Sequence, residues 1–220
     1  MLDMNMDQAR EVAEEISGIA LECNITSETQ AEAAIGRARD AHGPARIPVC
    51  CAGISKARRM VDRNGPAALA HHRHLVDVYL EGTYNICRLA AAYMAAADPL
   101  PNTGERGVLI NTASNAGFYG PAGAITHDAV KAAITAMTLP MARGELSRHA
   151  IRVMAIAPGI FDTLTAVGLR QGYIEEMTQA IAFPEHFGQP VEFARMVETI
   201  LTTPLLNGAT VRIDGGSRMT

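Results

Sequence analysis

Ser114, His127 and Lys131 carry side chains that together could move a proton and attack a carbonyl. His127 and Lys131 stand four apart, so on a helix they share one face. An ammonium there favours the neutral imidazole. A neutral imidazole near a hydroxyl begins a nucleophile–base pair, in which Ser114 attacks an ester and His127 takes its proton. Asp128 follows directly in sequence, but it is expected to leave the helix in another direction, which leaves no third member to orient the ring. The competing reading of these residues is a strand-end cap for the serine and a solvated helix side chain for the histidine.

Other candidates are weaker. His71, His72 and His74 have the right chemistry for a metal, but adjacent histidines on a helix diverge and no acidic or Cys partner stands beside them. A solvated helix start is expected, and no metal site. Cys23, Cys50, Cys51 and Cys87 show no CxxC pattern and no disulfide framework.

The elements that must position these residues follow from composition and periodicity. The chain has 220 residues, of which 48% are hydrophobic, and a net charge of −4. That size and apolar content suit a single domain over residues 1–220 and exclude disorder. The acidic balance, 5% aromatic content and absence of Trp argue against a nucleic-acid partner. Apolar runs are broken well before membrane-spanning length, and no leader pattern opens the chain, so a cytoplasmic protein with reduced thiols is expected.

Helices are predicted over residues 5–17, 27–41, 67–97, 124–148 and 190–202. Strands are predicted over 18–23, 46–53, 107–113, 151–157 and 209–214, and residues 163–189 read as irregular with short helices. Pro48 is awkward for a central strand, and Pro190 suits the first turn of a helix. Alternating strands and helices, with strands that are apolar throughout, predict an α/β fold: a doubly wound, mainly parallel sheet covered on both faces. Ligands in such sheets sit beyond the carboxyl ends of the strands. Those ends are Asn24, Ala52-Gly53, Ser114 and Pro158-Gly159.

Several segments in order carry a resemblance. Cys50-Cys51-Ala52-Gly53 resembles an Asn-Asn-Ala-Gly motif, and Ile110-Asn111-Thr112-Ala113-Ser114 a strand delivering a catalytic serine. Ile156 to Thr163 resembles a Pro-Gly segment over a nicotinamide, and Asp214-Gly215-Gly216 a C-terminal turn. Together they resemble the short-chain dehydrogenase/reductase family, with a Rossmann-like sheet. Gly104 to Gly107, Met137 to Pro140 and Ser217-Arg218-Met219 look most like its type II 3-hydroxyacyl-CoA dehydrogenases.

The resemblance implies NAD as cofactor, with Asp3, Asn24, Ala52, Gly53, Pro158, Gly159, Ile160 and Thr163 lining its ends. Asp3 favours NAD over its 2′-phosphorylated form. It also implies an acyl-CoA substrate and a homo-oligomer. Ser114 and Lys131 fall on the family's catalytic positions, whereas His127 stands where the family has Tyr, Tyr79 where it has Asn, and Cys50 where its motif begins with Asn. No TGxxxGxG pattern occurs in residues 1–40. The expectation is therefore a sheet without the family's first strand, phosphate loop and helix, a unit of roughly 30 residues, and weak or absent NAD binding. The opening in such a sheet is expected to close by pairing of strand 18–23 with strand 46–53, or to be filled by another chain. Three functions remain open: a dehydrogenase, an ester hydrolase using Ser114 and His127, and a non-catalytic homologue.

Overall fold

The computed structural model describes residues 1–54, 58–163, 175 and 177–218. Its sheet is built on two apolar runs. β6 (Gly107–Thr112) and β7 (Ile151–Pro158) pair in parallel over six positions, from Gly107–Ile151 to Thr112–Ile156. Val108, Leu109, Ile110, Val153, Met154 and Ile156 are almost fully enclosed, as strands covered on both faces must be. β3 (Val49–Cys50) joins β6 on one side and β8 (Thr210–Ile213) joins β7 on the other, both parallel. Pro48 precedes β3 and still contributes, since its carbonyl accepts from Ile110 N at 3.0 Å. With β6 as its single described partner, β3 is an edge, where a neighbouring proline is tolerated.

The remaining parallel pair stands apart. β1 (Leu2–Asp3) and β2 (Leu21–Glu22) form their own two-stranded sheet. β2 does not pair with β3, so of the two expected ways to close the opening, direct pairing of strand 18–23 with strand 46–53 is corrected here. Leu2, Leu21, Cys23 and Cys50 instead pack on one helical layer formed by α2 (Glu28–His42) and α4 (Thr83–Ala96), through Ala31, Ala34, Ile35, Ile86 and Leu89. Side-chain packing, not a backbone ladder, joins the two parts of the sheet.

Local signals set the helix ends. Asn5 Oδ1 accepts from Gln8 N to start α1 (Met6–Glu15), and Ser27 Oγ accepts from Gln30 N to start α2. α1 ends earlier than expected, with Ser17 rather than Gly18 taking the left-handed turn (φ 54°). The stretch expected as one helix over 67–97 is α3 (Leu69–Val76), a π-helical turn (Asp77–Gly82) and α4. α5 (Ile125–Arg143) and α6 (Glu145–Arg148) divide the helix expected over 124–148 at Gly144. α7 (Pro190–Thr202) opens with Glu192 Oε2 accepting from Gln189 N at 2.7 Å. The strand expected over 46–53 is ordered as sheet only at β3. A hairpin, β4 (Val61–Asp62) with β5 (Gly65–Pro66), occupies a stretch for which no element was predicted. Much of the irregular stretch 163–189, with its expected short helices, lies outside the described residues. No helix among the described residues is long and apolar enough to cross a membrane.

Candidate active site

Beyond the carboxyl ends of β6 and β7, the first turns of α5 meet the π-helical turn. α5 projects His127 and Lys131 on one side, as their spacing requires. Lys131 is buried, its Nζ donates to Thr112 O at 2.7 Å and it lies 4.5 Å from the centre of the Tyr79 ring. Burial lowers its pKa to about 8, against a smaller opposing pull from Cys51. The ammonium thus sits between a backbone carbonyl and an aromatic face, a setting that holds the cation without a carboxylate.

His127 packs edge-on against Tyr79, ring centres 5.6 Å apart. Its Nδ1 lies 3.2 Å from Asp128 Oδ1, which corrects the expectation that Asp128 points elsewhere. Near the start of α5 the two adjacent side chains bend toward each other: a Cβ at Gly120 would lie 2.1 Å from Asp128 Oδ2, so the glycine backbone closes over the carboxylate. Burial is the main cause that lowers the His127 pKa. Lys131 adds to it, and Asp128 opposes through its hydrogen bond and charge. Asp128 itself is raised by burial. With Nδ1–H donated to the carboxylate, the neutral ring offers Nε2 as the acceptor.

Ser114 ends the strand extension from β6 but does not pair with His127. Its Oγ accepts from Ala116 N at 3.1 Å, capping the short 3₁₀ turn Asn115–Gly117, and lies 3.4 Å from Asn115 Oδ1. Among the described residues no hydrogen bond joins the expected nucleophile and base.

Tyr79 was read in the sequence only as a replacement, and it proves to organise the site. Its hydroxyl accepts from Ile54 N at 3.1 Å and donates to Ile54 O. Burial raises its pKa, so it stays a phenol. A Cβ at Gly53 would lie 2.7 Å from Tyr79 Cε1, hence Gly is required there. The π-helical turn, which widens the helix by one residue, carries this side chain.

The expected cofactor residues fall into two groups. Asp3 is the last residue of β1, and Asn24 stands two residues past β2. Each is already turned onto its own backbone, with Asp3 Oδ1 accepting from Asn5 N at 2.8 Å and Asn24 Oδ1 from Thr26 N at 3.0 Å. Pro158 ends β7, and Gly159, Ile160 and Thr163 follow it; Gly159 N donates to Ile213 O, and a Cβ at Gly159 would lie 2.9 Å from Asp214 Cα. Ala52 and Gly53 are exposed between them. These groups suit the adenosine and nicotinamide ends of a dinucleotide. Between them the described residues present no glycine-rich turn running into a helix N-terminus, the source of backbone donors for a pyrophosphate. The described set therefore does not fit the whole of NAD. Among the described residues no group of His, Cys, Asp or Glu could hold a metal.

Residues 1–218 match the family model described as enoyl-(acyl carrier protein) reductase. The chain belongs to the short-chain dehydrogenase/reductase family. The 3-hydroxyacyl-CoA dehydrogenase type-2 of Drosophila melanogaster is 37% identical over 223 residues, covering 100% of this chain and 87% of that protein. The human protein of that name is 38% identical over 198 residues, 89% of this chain and 75% of its own. The crystal structure of the type-2 enzyme from Mycobacterium avium superposes with a TM-score of 0.91 at 38% identity, covering 100% of this chain and 86% of that one. The short-chain dehydrogenase fold expected from the motifs is therefore present, with its mainly parallel sheet and covering helices.

Proposed function

We propose that this short-chain dehydrogenase/reductase binds a 3-hydroxyacyl- or 3-ketoacyl-CoA thioester at the mouth of β6 and β7, and that His127 exchanges the proton of the substrate's C3 oxygen. The observation that carries this reading is the His127–Asp128 contact. The carboxylate fixes the ring and leaves Nε2 free, and burial keeps the imidazole neutral and able to accept a proton. Lys131, at 2.7 Å from Thr112 O, supplies positive charge near the developing oxyanion, and Ser114 stands at the strand end beside it. The names and identities of the relatives support the acyl-CoA class.

We infer that NAD binds these residues weakly, because pyrophosphate donors are lacking among those described. Ester hydrolysis retains one supporting contact, the oriented His127, but lacks the Ser114–His127 hydrogen bond that would activate the nucleophile. Self-association, which the family resemblance implies, is proposed along the small-residue faces of α4 and α5.

The test is oxidation of 3-hydroxybutyryl-CoA at millimolar NAD, the direction in which His127 accepts the proton. His127→Phe should lower the rate by on the order of 100-fold or more, and an unchanged rate would overturn the assignment. Micromolar NADH affinity would overturn the cofactor half. A p-nitrophenyl ester should be cleaved equally by the wild type and Ser114→Ala; a Ser114-dependent rate would favour the hydrolase.

A further inference from the structure

Cys50 and Cys87 bring two thiols into contact between the sheet and its helical cover. Cys50 is the last residue of β3 and pairs in register with Asn111 of β6, while Cys87 stands on α4. Cys50 packs on the buried cluster that holds Cys87, Leu109 and Val153, and its S–H donates to the Cys87 sulfur. The other two cysteines have different surroundings. Cys23 is buried and its thiol is raised by that burial, and Cys51 is exposed, its sulfur accepting from Thr112 Oγ1 at 3.4 Å.

An amide completes the arrangement. Asn111 is fully buried, with Cys87 Sγ 3.2 Å from its Oδ1, and its Nδ2 has no partner among the described residues. A buried N–H without an acceptor costs stability, and a half-turn of the amide brings it to the Cys87 sulfur. Nδ2 then donates to a thiolate, which Oδ1 cannot do. Negative charge is favoured on Cys87 over Cys50. The Cys50 hydrogen bond lowers the Cys87 thiol below its usual range, against burial and with help from Asn111, and the same bond raises Cys50 well above it. Access comes from the far edge of β3, because β6 is its single described partner and Cys50 is only part-buried.

We propose that Cys50 and Cys87 form an oxidation site that consumes hydrogen peroxide and closes to a disulfide between β3 and α4. The Cys87 thiolate attacks one peroxide oxygen, the O–O bond breaks, and the departing hydroxide takes up the proton that Cys87 released. Cys50 then attacks the sulfur of the Cys87 sulfenic acid. The S–S bond forms, the S–O bond breaks, and the hydroxyl leaves as water with the Cys50 proton. Both sulfurs are oxidised and the peroxide is reduced to water. The link joins the strand that runs into Gly53 and Ile54 to the helix that continues from the π-helical turn carrying Tyr79. Both sides of the Tyr79–Ile54 contact are thereby tied together. The proposal does not depend on the acyl-CoA reading, and its test needs no turnover.

The test is peptide mapping of the full chain after millimolar hydrogen peroxide, with iodoacetamide added in denaturant. Cys50 and Cys87 should lose alkylation together, ahead of Cys23 and Cys51, and appear as one cross-linked peptide pair that dithiothreitol releases. Amide exchange at Ile54 should slow in the oxidised chain. Its melting temperature should rise by about 5 °C or more, since the link closes a long loop of the unfolded chain. Cys51→Ser should close as the wild type does, and Asn111→Leu about tenfold more slowly. Cys50→Ala has no second thiol to resolve the sulfenic acid, so dimedone should trap it at Cys87. Full alkylation of Cys50 and Cys87 after peroxide would overturn the proposal, as would a link formed through Cys51 or Cys23. No trapping at Cys87 in folded Cys50→Ala would overturn the order of attack, and an unchanged rate in Asn111→Leu the part given to the amide. Should Cys50→Ala fail to fold, the wild-type peptide map decides alone.

Discussion

The two parts of the sheet are held by different means. β6 and β7 share a six-position ladder enclosed on both faces, and the candidate proton-transfer residues stand at its end. β1 and β2 share two paired positions, and Asp3 and Glu22 in them are exposed. The first arrangement is preorganised by a core that tolerates little movement. The second is held through Leu2 and Leu21 on the α2–α4 layer, where local opening costs less than global unfolding. The proposed acid–base chemistry therefore rests on the rigid part, and the residues expected at the adenosine end rest on the looser one.

Breaking the rigid part should give the largest effect. Leu109→Ala empties a fully buried site in β6 and should cost about 4 kcal/mol in urea unfolding. Leu21→Ala should cost roughly half of that and speed amide exchange mainly around β1 and β2. Equal costs would remove the contrast.

Lys131 sharpens the contrast from within the rigid part. In the folded chain its proton leaves at about 8, against 10.5 for an unperturbed lysine. Between those values the unfolded chain binds the extra proton, so stability rises with pH. From pH 8 to 10.5 the wild type should gain up to about 3 kcal/mol relative to Lys131→Met. Parallel stability curves would show that burial does not disfavour the ammonium.

Tyr79→Phe should cost about 2 kcal/mol, because Ile54 N–H loses its acceptor and Ile54 O loses a donor. Asp128→Asn should lower the His127 pKa further, since the hydrogen bond and charge that hold it up are lost. In the oxidative direction, where His127 is the base, the acidic limb of the pH–rate profile should then move to lower pH, with turnover down by about tenfold. The smallest effect is expected at the loose end, where Asp3→Ala should change stability by less than about 0.5 kcal/mol.

The sheet and the long helices were legible because continuous apolar runs such as Val108–Ile110 and Val153–Ile156 have one stable solution, burial on both faces. The His127–Lys131 pairing was legible because helical spacing imposes it. Asp128 was misjudged because neighbouring side chains in a regular helix diverge, whereas packing of Gly120 near the helix start bends this pair together. The hairpin was missed because its loop is Arg63-Asn64, between the paired Asp62 and Gly65, and neither loop residue takes the positive φ of an Asn-Gly turn. Tyr79 was placed by alignment alone, and nothing in its neighbours along the chain announces Ile54 as its partner. That contact depends on a π-helical turn that no periodicity marks.

That turn also sets a phase. Each residue of a helix advances the chain by about 100°, so deleting one residue between Asp77 and Gly82 would restore a regular helix and rotate everything before it relative to α4. Tyr79 would swing off Gly53, with neither residue exchanged. For a lineage carrying this scaffold, a single codon lost or gained at that point would recast the pocket more abruptly than any point substitution in it.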